Sequence, residues 1–505
     1  RKRLFELPTS SWADYSADLI SEGGGVYERT EKQIELPAPI RERLGIEHET
    51  VNGEELIKAI LEAPVDLLWN GGIGTYVKAS SETQADVGDP TNDGVRVDAT
   101  AVRARVIGEG GNLGLTQRAR IEFALRGGRV NTDAVDNSAG VDMSDHEVNL
   151  KILLGRAVAR GALSPSERNE LLDACTDEVA EAVLSNNYTQ SLAISLDVLR
   201  AREFSGAFHE TIHRLEREGV LNTALEFLPD ADDLLERETA GAPLTRPELA
   251  ILLAYAKLHL KQWLMSSDVP QDPAMMELVR GYFPPRALEA VEASDLESHR
   301  LRAHIASTVL TNRFVDCMGA TSHIQLMRES GRAASTVART WYVAARIADA
   351  EELYDRLRET DSVARAGNQH QWYLEMADSL GRATRWLLQR SDAGRPIGEE
   401  IDWLHQPVRE VRAALPDLLT GERLEQFRSH CSLHEMDGLD EETARRLVTF
   451  RYVDELLPIA SLMRETGSDT RSVGSAYLGL AEEIDFPWLR SNIDEIAADD
   501  HWGQR

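Results

Sequence analysis

Cysteine is scarce. Cys175, Cys317 and Cys431 are the only three in 505 residues, far apart and odd in number, and no C-x-x-C pair occurs. That excludes a disulfide framework and a thiolate zinc site, and it leaves buried free thiols in a reducing compartment as the expectation. Long apolar runs are also missing. The best candidate, Leu249 to Leu258, contains Tyr255 and Lys257 and falls short of the roughly 18 residues of a membrane span. Positive charge is in deficit, with 55 Lys and Arg against 85 Asp and Glu and a net charge of −30. Nucleic acid needs clustered cations, and anionic membrane surfaces attract them, so neither is an expected partner. The acidity reads instead as a solvated, self-repelling surface. No signal peptide opens the chain, and a cytoplasmic location is expected. The chain starts at Arg1 with RKRLFELP and no initiator Met, which reads as entry partway into a longer chain.

The usual catalytic signatures are absent as well. Residues 1 to 165 hold no G-x-G-x-x-G before a helix, and the chain has no P-loop, HExxH, G-x-S-x-G or DFG set. The triplet Gly23-Gly24-Gly25 lacks both the phosphate-loop spacing and a following helix. His209 and His213 stand four apart in HETIH, without the Glu placement of a zinc hydrolase, and read as a solvated or packed face. No metal is expected.

An apolar content of 42% is enough for real cores, and the length predicts two to four domains. The chain divides near residue 165. Before it, glycines are dense and short apolar runs alternate with helical patterns. Gly53 to Ala63 is an amphipathic helix ended by Pro64, and Val65 to Trp69 is a buried strand. Residues 80 to 100 are polar and turn-rich, an exposed loop. Ala104 to Ile107 form the next strand. Thr116 caps a helix through Leu125, closed by Gly127 and Gly128, and Val130 marks a short strand. This order predicts the C-terminal part of an α/β, doubly wound (Rossmann-like) parallel sheet over 1–165. Residues 166–505 form a large all-helical region of one or two subdomains. Ser164-Pro165-Glu167 and Thr245-Pro247-Glu248 spell helix starts. Further helical segments are predicted near 295–317, 333–358, 366–390, 397–413, 439–464 and 471–498. Trp341-Tyr342 and Trp372-Tyr373 read as core or interface packing.

In open parallel sheets, ligands bind beyond the carboxyl ends of strands. One such end is Asn70-Gly71-Gly72. The other is Gly108-Glu109-Gly110-Gly111-Asn112. Glycine lets backbone approach a ligand closely, and an Asn amide can both donate to and accept from a carboxamide or a ribose hydroxyl. Each asparagine alone reads as a turn stabiliser; two at adjacent strand ends favour a cofactor crevice. Asn137-Ser138-Ala139-Gly140-Val141 precede a helix predicted to start near Ser144, where Ser144-Asp145-His146-Glu147 matches a capping box. A carboxylate substrate could share that helix start with the Ser144 hydroxyl. His146 reads as a surface or packed histidine.

The run GEGGNLGLTQRARIEFALRGGRVNTDAVDNSAGVDMSDHEVNLKILL resembles the end of the coenzyme domain of large-type NAD-specific glutamate dehydrogenases. SSWADYSADLISEGGGVYER, DLLWNGGIGTYVKA and LTRPELAILLAYAK resemble the same family. GEGGN is similar to the EGAN-type turn of smaller glutamate dehydrogenases. DNSAGV is similar to their NAGGV-type loop, departing at Ser138 and Ala139. The resemblance implies NAD as cofactor, with Asn70, Gly71, Gly72, Gly110, Gly111, Asn112 and Asn137 on the nicotinamide side. It implies that Ser144 and Gly140 contact the substrate, L-glutamate or 2-oxoglutarate. The implied reaction is hydride transfer from the glutamate α-carbon to NAD, then imine hydrolysis to 2-oxoglutarate and ammonium.

The family's catalytic lysine and aspartate, and its first glycine-rich coenzyme turn, belong upstream and match nothing here. Only seven lysines are present, and Lys78 and Lys151 do not stand in the family's catalytic context. The chain alone is therefore expected to be inactive. The helical region is expected to serve homo-oligomer contacts or regulation by a protein or small-molecule effector. Two alternatives stay open: a non-catalytic assembly module with a vestigial coenzyme fold, and another amino-acid dehydrogenase.

Overall fold

The computed structural model describes residues 7, 10–14, 16–21, 24–239, 241, 243–390 and 395–484. Gly23 of the glycine triplet, and residues 485–498 of the last predicted helical segment, lie outside the described residues. The chain forms two compact units. One comprises Arg1–His146, Val179–Ile194 and Val198–Ala254; the other comprises Glu147–Glu178, Ser195–Asp197 and Tyr255–Arg505.

The first unit holds the strands, all short. β1 (Ile34–Glu35) pairs antiparallel with β2 (Thr50–Val51). β3 (Leu67–Asn70), β4 (Val77–Lys78), β5 (Val97–Asp98) and β6 (Val106–Glu109) follow. β3 runs parallel to β6, with Leu67 opposite Val106 and Asn70 opposite Glu109. β4 runs parallel to β5, and single parallel bridges join Val77 to Leu115 and Val106 to Arg129. Val77, Val97, Ala99, Ile107, Leu115, Phe123 and Val130 fill the core between these strands and helix Gln117–Leu125. The parallel pairing expected before residue 165 is present, in pairs of strands and not as one continuous doubly wound sheet among the described residues.

Local chemistry fixes the helix starts here. Asn52 and Glu55 form a reciprocal capping box ahead of helix Gly53–Leu61, and Thr116 accepts from the Ala119 N–H at the next helix, each satisfying N–H groups that a helix start leaves orphaned. Thr245 donates its N–H to Glu248 at 2.7 Å ahead of helix Arg246–Met265. Leu249, Leu252, Leu253 and Ala256 of that helix are buried while Ala254 and Leu258 are exposed, so one face of the run Leu249–Leu258 packs in a globular core.

The reading of residues 80–100 as an exposed loop is corrected. The segment contains helix Gln84–Val87 and strand β5, and Asn92, Val95, Arg96, Val97 and Ala99 are buried. The buried Arg96 organises it. Its guanidinium donates to the Thr75 carbonyl at 2.8 Å, to Asp93 at 2.6 Å and to the Asp89 carbonyl at 2.6 Å. A buried charge is tolerated only when its donors are matched in this way. The polar residues that suggest solvent are the ligands of an internal cation.

The second unit is helical throughout its described residues. Ser164 and Glu167 make the predicted capping box before helix Pro165–Ala174. Helices Ala366–Arg390 and Ile397–Leu418 match predicted segments. The segment predicted over 333–358 is two helices, Ala334–Ile347 and Ala350–Arg358. They break at Asp349, a non-glycine residue at φ 51°. That left-handed conformation costs about 1–2 kcal/mol, and it is held by His405 and Arg412, each donating to the Asp349 carboxylate at 2.7 Å. Likewise 439–464 divides into Glu441–Phe450 and Val453–Thr466. Trp341, Tyr342, Trp372 and Tyr373 are buried, in line with their reading as packing residues. Among the described residues no helix is long and apolar enough to cross a membrane. Cys175 is buried, Cys317 and Cys431 are half-buried, and all three are free thiols.

Candidate functional site

Because β3 and β6 are parallel neighbours in register, their C-terminal turns lie side by side. The Gly111 N–H donates to the Asn70 carbonyl at 3.0 Å, and the Gly72 N–H donates to Asn70 Oδ1 at 3.3 Å. A β-carbon on Gly111 would stand 2.2 Å from the Gly72 carbonyl oxygen, and one on Gly114 would stand 1.8 Å from Asn70 Nδ2. Only glycine lets the two turns meet backbone to backbone. A third segment joins them. Asn137, between helices Asp133–Asp136 and Ser138–Ala159, donates through Nδ2 to Asn112 Oδ1 at 2.8 Å. The structure therefore brings Asn70, Gly71, Gly72, Gly110, Gly111, Asn112 and Asn137 into one rim.

Beneath the rim lies an ionic cluster. Glu109, fully buried, receives Arg120 at 2.7 and 2.9 Å and the Leu115 N–H at 3.1 Å. Arg120 also meets Asp133 at 3.0 Å. Burial pushes the Glu109 carboxyl above its usual range, and Arg120 returns only part of that cost. Burial works against the Arg120 charge too, but Glu109, Asp133 and Asp136 together outweigh it and raise its pKa. The asymmetry is physical: three carboxylates share one guanidinium. Asp133 accepts from the Leu113 N–H at 2.9 Å and Asp136 from the Glu109 N–H at 3.0 Å. Leu113 sits at φ 58°, a strained backbone position beside Asn112 of the kind that gathers at ligand sites.

Arg246 completes the cluster. It donates to Asn131 at 3.0 Å, and Asn131 donates to Asp136 at 2.8 Å. Burial pushes the Arg246 guanidinium down, against the pull of Asp136. Glu109, Arg120, Asp133, Asp136 and Arg246 have no role in the motif reading. The signal available was charge inside otherwise apolar strand and helix patterns: Glu109 within VIGEGG and Arg246 within the TRPE helix start.

Ser144 is placed differently from its prediction. The helix begins at Ser138, so Ser144 lies in its interior, exposed, and its hydroxyl donates to the Gly140 carbonyl at 3.3 Å. The S-x-x-E spelling is not a cap here, because the helix already runs from Ser138, whose Oγ accepts from Asn187 Nδ2 at 2.9 Å. The helix-start N–H groups belong to the residues around Gly140, which is exposed in the first turn. His146 is packed, 2% exposed, and burial lowers its pKa. Lys78 pairs with Asp98, and Lys151 with Glu147; neither joins the rim. Among the described residues no group of three His, Cys, Asp or Glu could hold a metal ion.

The rim suits a flat amide-bearing group. Once Asn137 Nδ2 is bonded to Asn112 Oδ1, each side chain keeps its other polar atom, one donor and one acceptor, for a carboxamide. Gly72 has open space where a β-carbon would project, leaving room for a ring against backbone. Asn70 Nδ2 is a buried donor with no hydrogen-bond partner among the described residues, an exception that calls for a physical cause at a functional rim.

Residues 1–197 match the family model described as bacterial NAD-glutamate dehydrogenase, catalytic domain, and residues 241–505 match glutamate dehydrogenase, C-terminal. The NAD-specific glutamate dehydrogenase of Pseudomonas aeruginosa is 41% identical over 503 residues, covering 99% of this chain and 31% of that protein. Those of Halomonas elongata and Mycobacterium tuberculosis are each 38% identical, again over 99% of this chain and 31% of the relative. The chain thus spans about a third of the length of the curated relatives it matches. On the match over residues 241–505, more than half of its length, the chain belongs to the family described as glutamate dehydrogenase, C-terminal.

Proposed function

We propose that this chain is a part of an NAD-dependent glutamate dehydrogenase and supplies the nicotinamide-facing wall of its active site. The observation that carries this reading is the Asn112–Asn137 amide pair, closing the rim formed by the ends of β3 and β6. NAD, when bound, supplies the hydride acceptor. Asn70, Asn112 and Asn137 orient its carboxamide, and Gly71, Gly72, Gly110 and Gly111 let the ring lie against backbone. Gly140 and Ser144 face the substrate carboxylate. Residues 1–165 then complete a Rossmann-like sheet with residues of the longer parent protein, which works in the cytoplasm. The lysine and aspartate of the family's proton chemistry have no counterpart here, so this chain orients and does not move protons.

The test compares the parent protein with residues 1–505 alone. L-Glutamate should drive NADH formation, read at its absorbance, by the parent only. Turnover by residues 1–505 alone, or a parent that oxidises leucine or phenylalanine and not glutamate, would contradict the reading. For residues 166–505 we propose homo-oligomer contacts or regulation, since the chemistry needs no helical addition of that size. Native mass of the parent should fall to a smaller assembly when 166–505 are deleted; an unchanged assembly argues against this role.

A further inference from the structure

We propose that Asn187 is a positioning residue for the nicotinamide wall, an inference that rests on the functional reading above. Helix Thr176–Glu203 carries an uninterrupted polar run at its middle, Ser185-Asn186-Asn187-Tyr188-Thr189-Gln190-Ser191. A helix packed through an ordinary apolar stripe would place Leu, Ile or Val at every third or fourth position. Here two full turns lack them, yet all seven residues are half-buried. The run therefore meets protein through hydrogen bonds.

Two of its residues, Asn186 and Asn187, bond to the corner that carries Asn137. Asn187 Nδ2 donates to the Val135 carbonyl at 2.7 Å and to Ser138 Oγ at 2.9 Å. Asn186 Nδ2 donates to Asp142 Oδ2 at 2.8 Å, one turn further along helix Ser138–Ala159. Val135 and Ser138 bracket Asn137, and pinning both leaves its backbone little freedom. Asn137 then reaches Asn112 at 2.8 Å. An unbroken path of side-chain and backbone contacts runs from Asn187 to the end of β6. The chemistry is specific to a primary amide: one NH2 group serves two acceptors. Aspartate would turn an oxygen toward the Val135 carbonyl, and alanine would leave both acceptors unserved.

The experiment uses the full-length parent with Asn187→Ala, Asn187→Asp and, as a milder change, Ser138→Ala. Two readouts are taken. Amide hydrogen exchange of residues 135–140 should speed up by about tenfold or more in the Asn187 variants, with the rest of the first unit unchanged. The kcat/KM for NAD should fall by about 10- to 100-fold, the range expected for misplacement by about 1 Å. Inhibition by ADP-ribose, which lacks the nicotinamide, should stay within about twofold. Ser138→Ala, keeping the Val135 bond, should give a smaller loss in the same direction, and it decides the matter if an Asn187 variant unfolds. Unchanged exchange at 135–140 overturns the proposal. So does an ADP-ribose affinity that falls in step with that for NAD, since that is general structural damage. If the parent itself does not reduce NAD with glutamate, the functional reading fails, while the exchange readout still decides the positioning role.

Discussion

At the scale of single residues, several buried groups hold one protonation state by geometry. His299 is the clearest. The Leu301 N–H donates to Nδ1 at 3.2 Å, so Nε2 carries the proton and meets the Asn149 carbonyl at 3.2 Å. The ring is neutral and satisfied; a second proton would break the Leu301 bond. Burial lowers its pKa below the ordinary 6.5, the Asn149 carbonyl opposes this, and Arg300 and Arg156 add to it. Burial also lowers His146 and His430. The unfolded chain takes up these protons near pH 6.5 and the folded chain resists, so stability falls as pH drops through that window. The denaturant midpoint of residues 1–505 should therefore be lower at about pH 5.5 than at about pH 7.5, and His299→Gln should flatten the difference. A pH difference as large in His299→Gln as in the unaltered chain would refute this account of His299. The same scale shows what a sequence discloses about a site. Asn112 and Asn137 stand out in the sequence because an amide near glycines is locally unusual, and the structure brings the two side chains together at 2.8 Å. The Glu109–Arg120 pair does not, because ion pairing 11 residues apart depends on the fold, although removing one partner of such a buried pair costs about 3–5 kcal/mol.

At the scale of elements, legibility followed the range of the deciding interaction. The caps at Thr116, at Ser164 with Glu167 and at Thr245 with Glu248 act over three residues and appear where their spelling puts them. Ser144-Asp145-His146-Glu147 has equally good spelling and lies inside a helix. The helix starts six residues earlier, at Ser138, which accepts from Asn187, 49 residues away. Arg96 likewise drew Asp89, Asp93 and Thr75 around it and turned a polar segment into interior. The break at Asp349 depends on His405 and Arg412, more than 50 residues away. Strand starts shifted too: β6 begins at Val106 and not Ala104, since pairing with β3 sets its register.

At the scale of the whole molecule, glycine density and hydrophobic period predict an α/β part followed by a helical part, and the few short strands of the described residues lie before residue 110. The compact units are less simple in sequence, because Val179–Ile194 and Val198–Ala254 belong with the first 146 residues. Those returning helices bring Asn187 to the residues that flank Asn137, and Arg246 to Asn131. The proposed role of the rim of Asn70, Asn112 and Asn137 is to receive the nicotinamide of NAD. Hydrogen exchange of the parent protein, with and without NAD and a non-reacting dicarboxylate, tests it most directly. Protection is predicted in residues 70–73, 109–114 and 137–141, with residues 397–466 unaffected. Protection confined to the helical residues, with those three segments unchanged, would contradict it.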